Sequence, residues 1–370
     1  MIDPVITSAH EAGISDDDIA AFYKEHWTRP IALTRREFCA WQFSAAPSAN
    51  GQNHSVVALQ GNDLLAVMGA VPAPFRLAGQ TCIGAELTTW VVAPEVRGRG
   101  VGKSILHYLQ TRYDVLAGAS ITKAAQPLYL GAGFAFLAYM PRFFYISDFE
   151  KAEVFTSIAD PARKLQALRQ EKAPLVRWTS ERVAATDLAP AATANALHGF
   201  MRDRDRLAWR HDQHPAFTYE AFAVRNAART GLGAGVIIRE DKISNTMILQ
   251  VIDLFGAPEH FSAALAFVAQ EANCRGAAFA DISATAAPLV AELRARGWSS
   301  AVDDTLIEMP SLFHPIELRR PPTASIAVWS KNAREQLYDF SRVHISRADM
   351  DLDRPTLHWY ENNLFKQNRE

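Results

Sequence analysis

Val92-Ala93-Pro94-Glu95-Val96-Arg97-Gly98-Arg99-Gly100-Val101-Gly102-Lys103-Ser104 ends a β-rich run, turns on three glycines and opens the apolar-periodic segment GKSILHYLQTRY. Such a turn offers bare backbone N–H groups and a helix N-terminus, which together cradle an anion and above all a phosphate. Three patterns compete for it. A nucleotide-triphosphate loop needs glycine five residues before Gly102-Lys103-Ser104, and Arg97 stands there. A dinucleotide fingerprint beginning at Gly98 needs its third glycine where Lys103 stands. Arg-x-x-Gly-x-Gly, from Arg97 to Gly102, fits at every position.

The surroundings alternate between strand and helix patterns. Upstream, Ser15 with Asp18 three residues on is a variant capping box ahead of Ile19, Phe22 and Tyr23, and predicts a helix near 16–27. SVVALQ and LLAVMGAVPAPF, split by Gly61-Asn62-Asp63, predict a hairpin, and ELTTWVVA a further strand. Downstream come a strand VLAGAS, a helix QPLYLGA and one closing strand FAFLAYMPRFFYI. The reading is a mixed α/β unit over residues 1–150.

With Val92, Pro94, Arg97 and Gly98 leading into it, the glycine stretch resembles the GCN5-related N-acetyltransferase family, whose loop wraps the pyrophosphate of an acyl-coenzyme A. Ala125-x-x-x-Tyr129-x-x-x-Gly133-Phe134 is similar to a later motif of that family, in which a helix tyrosine lies beside the coenzyme sulfur. The resemblance covers residues 1–150. One position departs from it: Thr122 stands where the family often has asparagine, which puts a donor-side hydrogen bond in question.

The resemblance implies an N-acyltransferase, most directly an N-acetyltransferase. Its co-substrate is acetyl-CoA or another acyl-CoA, no metal is required, and an amine attacks directly in a ternary complex. Arg97, Gly98, Arg99, Gly100, Val101, Gly102 and Lys103 would hold the pyrophosphate. Backbone N–H groups near Val91 and Val92 would bind the pantetheine arm and polarise the thioester. Tyr129 is the candidate general acid, since a phenol with a pKa of about 10 is still protonated at neutral pH. Glu86 is the candidate base: six residues before Val92, its strand parity groups it with Thr88, Trp90 and Val92. The alternative is a catalytically inert acyl-CoA-binding regulatory or interaction protein.

An ordered repeat points to two copies of this unit. Arg36-Glu37, Ala40-Trp41-Gln42 and Pro47 recur 168 residues later as Arg204-Asp205, Ala208-Trp209-Arg210 and Pro215. Tyr129 to Gly133-Phe134 recurs 164 residues later as Leu293 to Gly297-Trp298. The expected fold class is therefore α/β, with two tandem acetyltransferase-like domains, each a mixed, mostly antiparallel sheet flanked by helices. The domains are a catalytic unit at 1–150, a connector at 151–175, a degenerate acceptor-shaping unit at 176–319 and a C-terminal extension at 320–370. In the extension NAREQLYDFSRV predicts one helix. The second copy is read as degenerate because its turn has Gly256 alone and Leu293 replaces the tyrosine.

The run Phe200-Met201-Arg202-Asp203-Arg204-Asp205-Arg206 alternates in sign and reads as a solvated helix with internal ion pairs. Its sharper reading sets Arg202, Arg206 or Arg210 against a substrate phosphate. Tandem acyltransferases of this look resemble enzymes of surface-polysaccharide and amino-sugar synthesis, which suggests an amino-sugar nucleotide as acceptor. His211 and His214 lack a third ligand nearby for a metal.

Across 370 residues, 38 basic and 40 acidic side chains leave a net charge of −2, so no global field favours nucleic acid. No apolar run approaches the roughly 18 residues of a membrane span, and the first residues lack a leader pattern, so the expected location is cytoplasmic. Cys39, Cys82 and Cys274, odd in number and widely spaced, suit reduced thiols in a core. The expected state is a monomer, with a homodimer as the alternative.

Overall fold

In the computed structural model, which describes residues 4–156, 158–171, 173–194, 197–243, 245–304, 307–311 and 322–361, the chain builds two sheets. Its strands run β1 (Val5–Ser8), β2 (Val56–Gln60), β3 (Asp63–Leu77), β4 (Gln80–Val92), β5 (Val115–Ala119) and β6 (Ala135–Leu137). There follow β7 (Arg142–Ile146), β8 (Trp178–Val183), β9 (Gly199–Phe200), β10 (Glu220–Asn226) and β11 (Ala234–Ile243). The last are β12 (Thr246–Gly256), β13 (Phe279–Ser283), β14 (Ser299–Ser300) and β15 (Ile326–Ser330).

The first sheet is ordered β1-β2-β3-β4-β5-β15-β6, with β9 also on β3, and the second β8-β10-β11-β12-β13-β7-β14. The two orders are the same once β7 and β15 are seen to have changed places. In each sheet the fourth and fifth strands are parallel, β4 with β5 and β12 with β13. The strand inserted beyond them comes from the other half of the chain and is antiparallel to its neighbours. Each half is thus closed by a strand of the other.

This exchange corrects the expectation of one closing strand over FAFLAYMPRFFYI. The run is two strands in different sheets, β6 and β7, parted at Met140-Pro141, where proline has no N–H for the ladder. The Met140 N–H bonds the Ala324 carbonyl at 2.8 Å, and the Pro141 carbonyl accepts from Ala284 at 3.1 Å. Arg142, which opens β7, is buried and paired with Asp281 of β13 at 2.6 Å. The C-terminal extension likewise carries β15, all five of whose residues are buried. Its expected helix shrinks to Glu335–Tyr338 and a 3-10 turn at Phe340–Arg342. RRPP at 319–322 lies largely outside the described residues.

The repeat has a physical counterpart. Trp41 and Trp209, 168 residues apart, stack with ring centroids 5.1 Å apart, and the Trp209 indole N–H donates to the Trp41 carbonyl at 2.9 Å. Local helix signals also read well. Ser15 and Asp18 form the reciprocal capping box of Asp16–His26. The connector is less of a linker than its charge suggests, because its helix Asp160–Glu171 buries Ala162 and Gln166. The Ser299 hydroxyl donates to Gln166 at 2.5 Å. Of the three thiols, Cys39 alone is fully buried, and Cys274 is exposed.

The segment after β15 ties the halves together. Parallel pairing of β12 with β13 ends at Val251↔Ile282, and residues 345–348 run through the gap beyond it. Thr285 N–H bonds the Ile345 carbonyl, Ser346 bridges Ala284, and Ala348 N–H bonds the Ile252 carbonyl at 3.1 Å. Charges fix this strap. Arg202 pairs with Asp253 at 3.0 Å and Asp349 at 2.7 Å, while Arg206 pairs with Asp349 and Glu86. Arg210 donates to the carbonyls of Ala348 and Met350. Arg239 and Arg347 meet Asp353 at 2.7 and 3.2 Å.

The neighbouring histidines are held neutral. Burial pushes the pKa of His211 down to about 3 and lowers that of His214, which accepts the N–H groups of Ala216 and Phe217 on Nδ1. The unfolded chain therefore takes up these protons first. The contribution is complete above the ordinary histidine pKa of about 6.5 and falls as pH drops toward 3. Melting temperature should fall between pH 7 and pH 5, above the usual range of carboxylate titration, and His211→Gln should flatten that slope; a flat wild-type profile would show that these rings accept protons in place.

Candidate active site

β4 and β5 pair in parallel from Gly84↔Val115 to Leu87↔Gly118, and there the ladder stops. β4 continues to Val92, so the strands splay and leave its inner edge open. A bulge marks the same place: Met68 faces Trp90 and Ala70 faces Leu87, so Gly69 alone opposes both Thr88 and Thr89.

Beyond Val92 the chain makes a 3-10 turn at Pro94–Val96, passes Arg97–Gly100, and enters the helix Val101–Arg112. The Arg97 side chain donates through Nε to the Val92 carbonyl at 2.9 Å and ties the loop to the strand. Gly100, the N-cap, has φ 86°. No side chain caps this helix, so its first N–H groups and the positive end of its dipole stay available to an anion. Gly102 serves close packing, because a Cβ there would come within 2.8 Å of the Trp90 ring. Lys103 adds positive charge on the same wall.

Splayed strand, glycine loop and the helix Gln126–Gly131 enclose a cleft of about 760 Å³. Tyr129 reaches it from that helix, held edge-on by Trp90 at 5.8 Å and Phe134 at 4.9 Å. Burial first, and the charge of Asp351 second, raise its pKa, so the phenol is protonated at neutral pH. Thr122 lines the wall and caps the helix locally, its hydroxyl accepting from Ala125 at 3.3 Å and its carbonyl from Ala125 and Gln126.

Two lining residues were invisible to motif reading. Asp351 and Arg354 enter from the C-terminal strap and pair at 2.8 Å. They bracket Thr89, which donates to Asp351 Oδ2 at 3.4 Å and accepts from Arg354. Among the described residues these two are the second half's contribution to the cleft. A signal was present: the acidic run DMDLD of 349–353 complements the arginines of MRDRDRLAWR at 201–210.

The cleft therefore gathers Val92, Arg97, Gly98, Gly100, Val101, Gly102, Lys103, Thr122 and Tyr129. Val91 and Glu86 lie elsewhere. Across the β3–β4 ladder Glu86 faces Val71 and Val91 faces Val67, whereas Trp90 and Val92 face Met68 and Ala66. The bulge thus moves Glu86 to the face opposite Trp90 and Val92, and the simple parity argument fails by one residue. Glu86 is 2% exposed, ion-paired with Arg206, and accepts the Met350 N–H at 3.0 Å. Arg99 sits in the loop between Gly98 and Gly100 without lining the cleft. Arg202, Arg206 and Arg210 are buried as well, clamping the strap instead of forming a solvated helix or a phosphate site.

The second splay differs. Its 3-10 turn Pro258–His260 runs straight into the helix Phe261–Cys274, with no counterpart of Arg97–Gly100. Leu293 is fully buried, and the strap fills the gap between β12 and β13. Among the described residues no cluster of three His, Cys, Asp or Glu is placed to hold a metal, and no helix is long and apolar enough to cross a membrane.

Residues 16–134 match the acetyltransferase (GNAT) family model. No curated protein sequence matches the chain. Among solved structures, it resembles a GCN5-related N-acetyltransferase from Anabaena variabilis ATCC 29413, with TM-score 0.54 and 14% identity over 88% of this chain and 72% of that one. A conserved protein of unknown function from Enterococcus faecalis V583, described as a probable N-acyltransferase, gives 0.53 and 12% over 89% and 73%. A GCN5-related N-acetyltransferase from Kribbella flavida gives 0.50 and 17% over 89% and 71%. At these identities the likeness is one of fold, and it spans both sheets.

Proposed function

We propose, from the match of residues 16–134 to the acetyltransferase (GNAT) family model, that this chain moves an acyl group from acyl-CoA to an amine acceptor in the cleft between β4 and β5. The observation that carries the reading is the conjunction, in one cleft, of an uncapped helix N-terminus, an open strand edge and a buried tyrosine. Gly98, Gly100, Gly102 and the first N–H groups of the helix receive the pyrophosphate, with Arg97 and Lys103 beside it. Backbone N–H groups at the open edge of β4 receive the pantetheine and polarise the thioester carbonyl. Tyr129 gives its proton to the departing sulfur.

Glu86 fits the base poorly, because its carboxylate already answers Arg206 and the Met350 N–H on the other face. The second half acts at a distance: its arginines hold the strap, and the strap brings Asp351 and Arg354 to the cleft. Its own splay is filled, so one chain should take up one acetyl-CoA. The acceptor class is a primary amine, an amino-sugar nucleotide being the first to try.

The test is release of free CoA thiol from acetyl-CoA in the presence of a panel of primary amines. An amine-dependent rate is expected. Tyr129→Phe should lower kcat about 10²-fold, the low end for general acid catalysis, while acetyl-CoA affinity stays within a factor of two or so. Acetyl-CoA binding without thiol release for any amine, and with Tyr129→Phe indistinguishable from wild type, would mean a binding protein instead of an enzyme.

A further inference from the structure

The acceptor's amine needs a seat and a base, and the strap supplies a carboxylate to the wall of the cleft. Asp351 stands beside Thr89, at the bulge where β4 leaves β5, on the same cleft wall system as Tyr129. Its two oxygens are not equivalent. Arg354 and the Thr89 hydroxyl both engage Oδ2, while Oδ1 has no hydrogen-bond partner among the described residues. The side chain is 13% exposed, and its charge reaches the Tyr129 hydroxyl strongly enough to help raise that phenol's pKa. A carboxylate so placed, on the cleft wall, has one oxygen anchored by the protein and one left without a protein partner.

Resting on the acyltransferase reading above, we propose that Asp351 Oδ1 receives the acceptor as a primary ammonium and takes the proton that makes it nucleophilic. Arg354 and Thr89 hold the carboxylate still. One proton passes from the ammonium to Asp351 and then to solvent. The freed lone pair forms the C–N bond on the thioester carbonyl, the C–S bond breaks, and Tyr129 protonates the thiolate. The second nitrogen proton restores the phenol. The catalytic base thus comes from the far end of the chain, seated by Arg202, Arg206 and Arg210 through residues 348–350. That arrangement explains why a half without a coenzyme loop of its own accompanies one that has it.

Two unreactive thioethers of coenzyme A test this without knowledge of the natural acceptor: S-(4-aminobutyl)-CoA, which ends in an ammonium, and S-pentyl-CoA, its neutral counterpart. Calorimetry should show the wild-type chain binding the ammonium form about tenfold more tightly or better, the equivalent of about 1.4 kcal/mol. Asp351→Asn should bind acetyl-CoA as the wild type does, which verifies the fold, and lose that preference. Equal affinities in the wild type, or a preference that survives Asp351→Asn, would overturn the assignment of Asp351. Failure of the wild type to bind acetyl-CoA would overturn the donor-site reading itself, a result distinct from the other two.

Discussion

Glutamate in place of Gly100 should weaken acetyl-CoA binding about a thousandfold in a chain that still folds. Gly100 sits at φ 86°, and a Cβ there would meet nothing within 4 Å, so the structural cost is that of one left-handed residue, about 1–2 kcal/mol. Domains commonly hold about 5–15 kcal/mol in reserve. The cost to the ligand is larger. Two like charges 4 Å apart repel by about 4 kcal/mol at an effective dielectric near 20, roughly a thousandfold in affinity. Calorimetry should therefore show Kd raised about 10³-fold, and thiol release should fall to background, with circular dichroism unchanged. An affinity within tenfold of wild type would mean that the loop does not hold the pyrophosphate.

Alanine in place of Asp349 has the largest expected effect on stability. This carboxylate is 0% exposed and lies between two buried guanidinium groups, accepting from Arg202 at 2.7 Å, Arg206 at 3.3 Å and the Ser346 N–H at 2.9 Å. Its removal takes one of two carboxylates from each arginine, leaving Arg202 with Asp253 and Arg206 with Glu86 in a medium that solvates them poorly. Breaking one partner of a buried pair typically costs about 3–5 kcal/mol. The midpoint of denaturant unfolding should fall by that equivalent. Because Asp349 also positions the strap that carries Asp351, turnover should drop further than the unfolded fraction explains at a temperature where the variant remains folded. A shift under about 1 kcal/mol would show that water or strap movement replaces the lost charge.

Those two sites also show where the sequence was legible. Gly98, Gly100 and Gly102, the proposed phosphate loop, declare themselves because such a loop is local: its geometry is set by consecutive residues and a helix start. Tyr129 is legible through the resemblance of Ala125-x-x-x-Tyr129-x-x-x-Gly133-Phe134 to a family motif, which is local as well. The repeat was readable because its residues keep their order, and Trp41 stacking on Trp209 gives it a physical basis.

What escaped was non-local. β7 and β15 carry apolar residues that suit a buried strand, and nothing in RFFYI or IAVWS says which of two similar sheets will accept it. Parity placed Glu86 with Trp90 because alternation assumes an unbroken ladder, and the bulge at Thr88-Thr89 reverses the face. Arg202 and Arg206 read as part of a solvated helix because the Asp349 they share lies 147 and 143 residues away, on a strap with no regular secondary structure. Asp351 and Arg354 belong to no motif. They become site residues only when the strap is laid across both halves.

One of two similar splays is proposed to bind acyl-CoA, while the other is filled by the chain itself. Titration of the purified chain with acetyl-CoA, with ATP as control, tests it most directly. One equivalent of acetyl-CoA bound per chain, and no heat from ATP, is the expected result. Two equivalents would show that the strap leaves the second splay, and binding of ATP alone, or of neither ligand, would contradict the reading of the glycine loop.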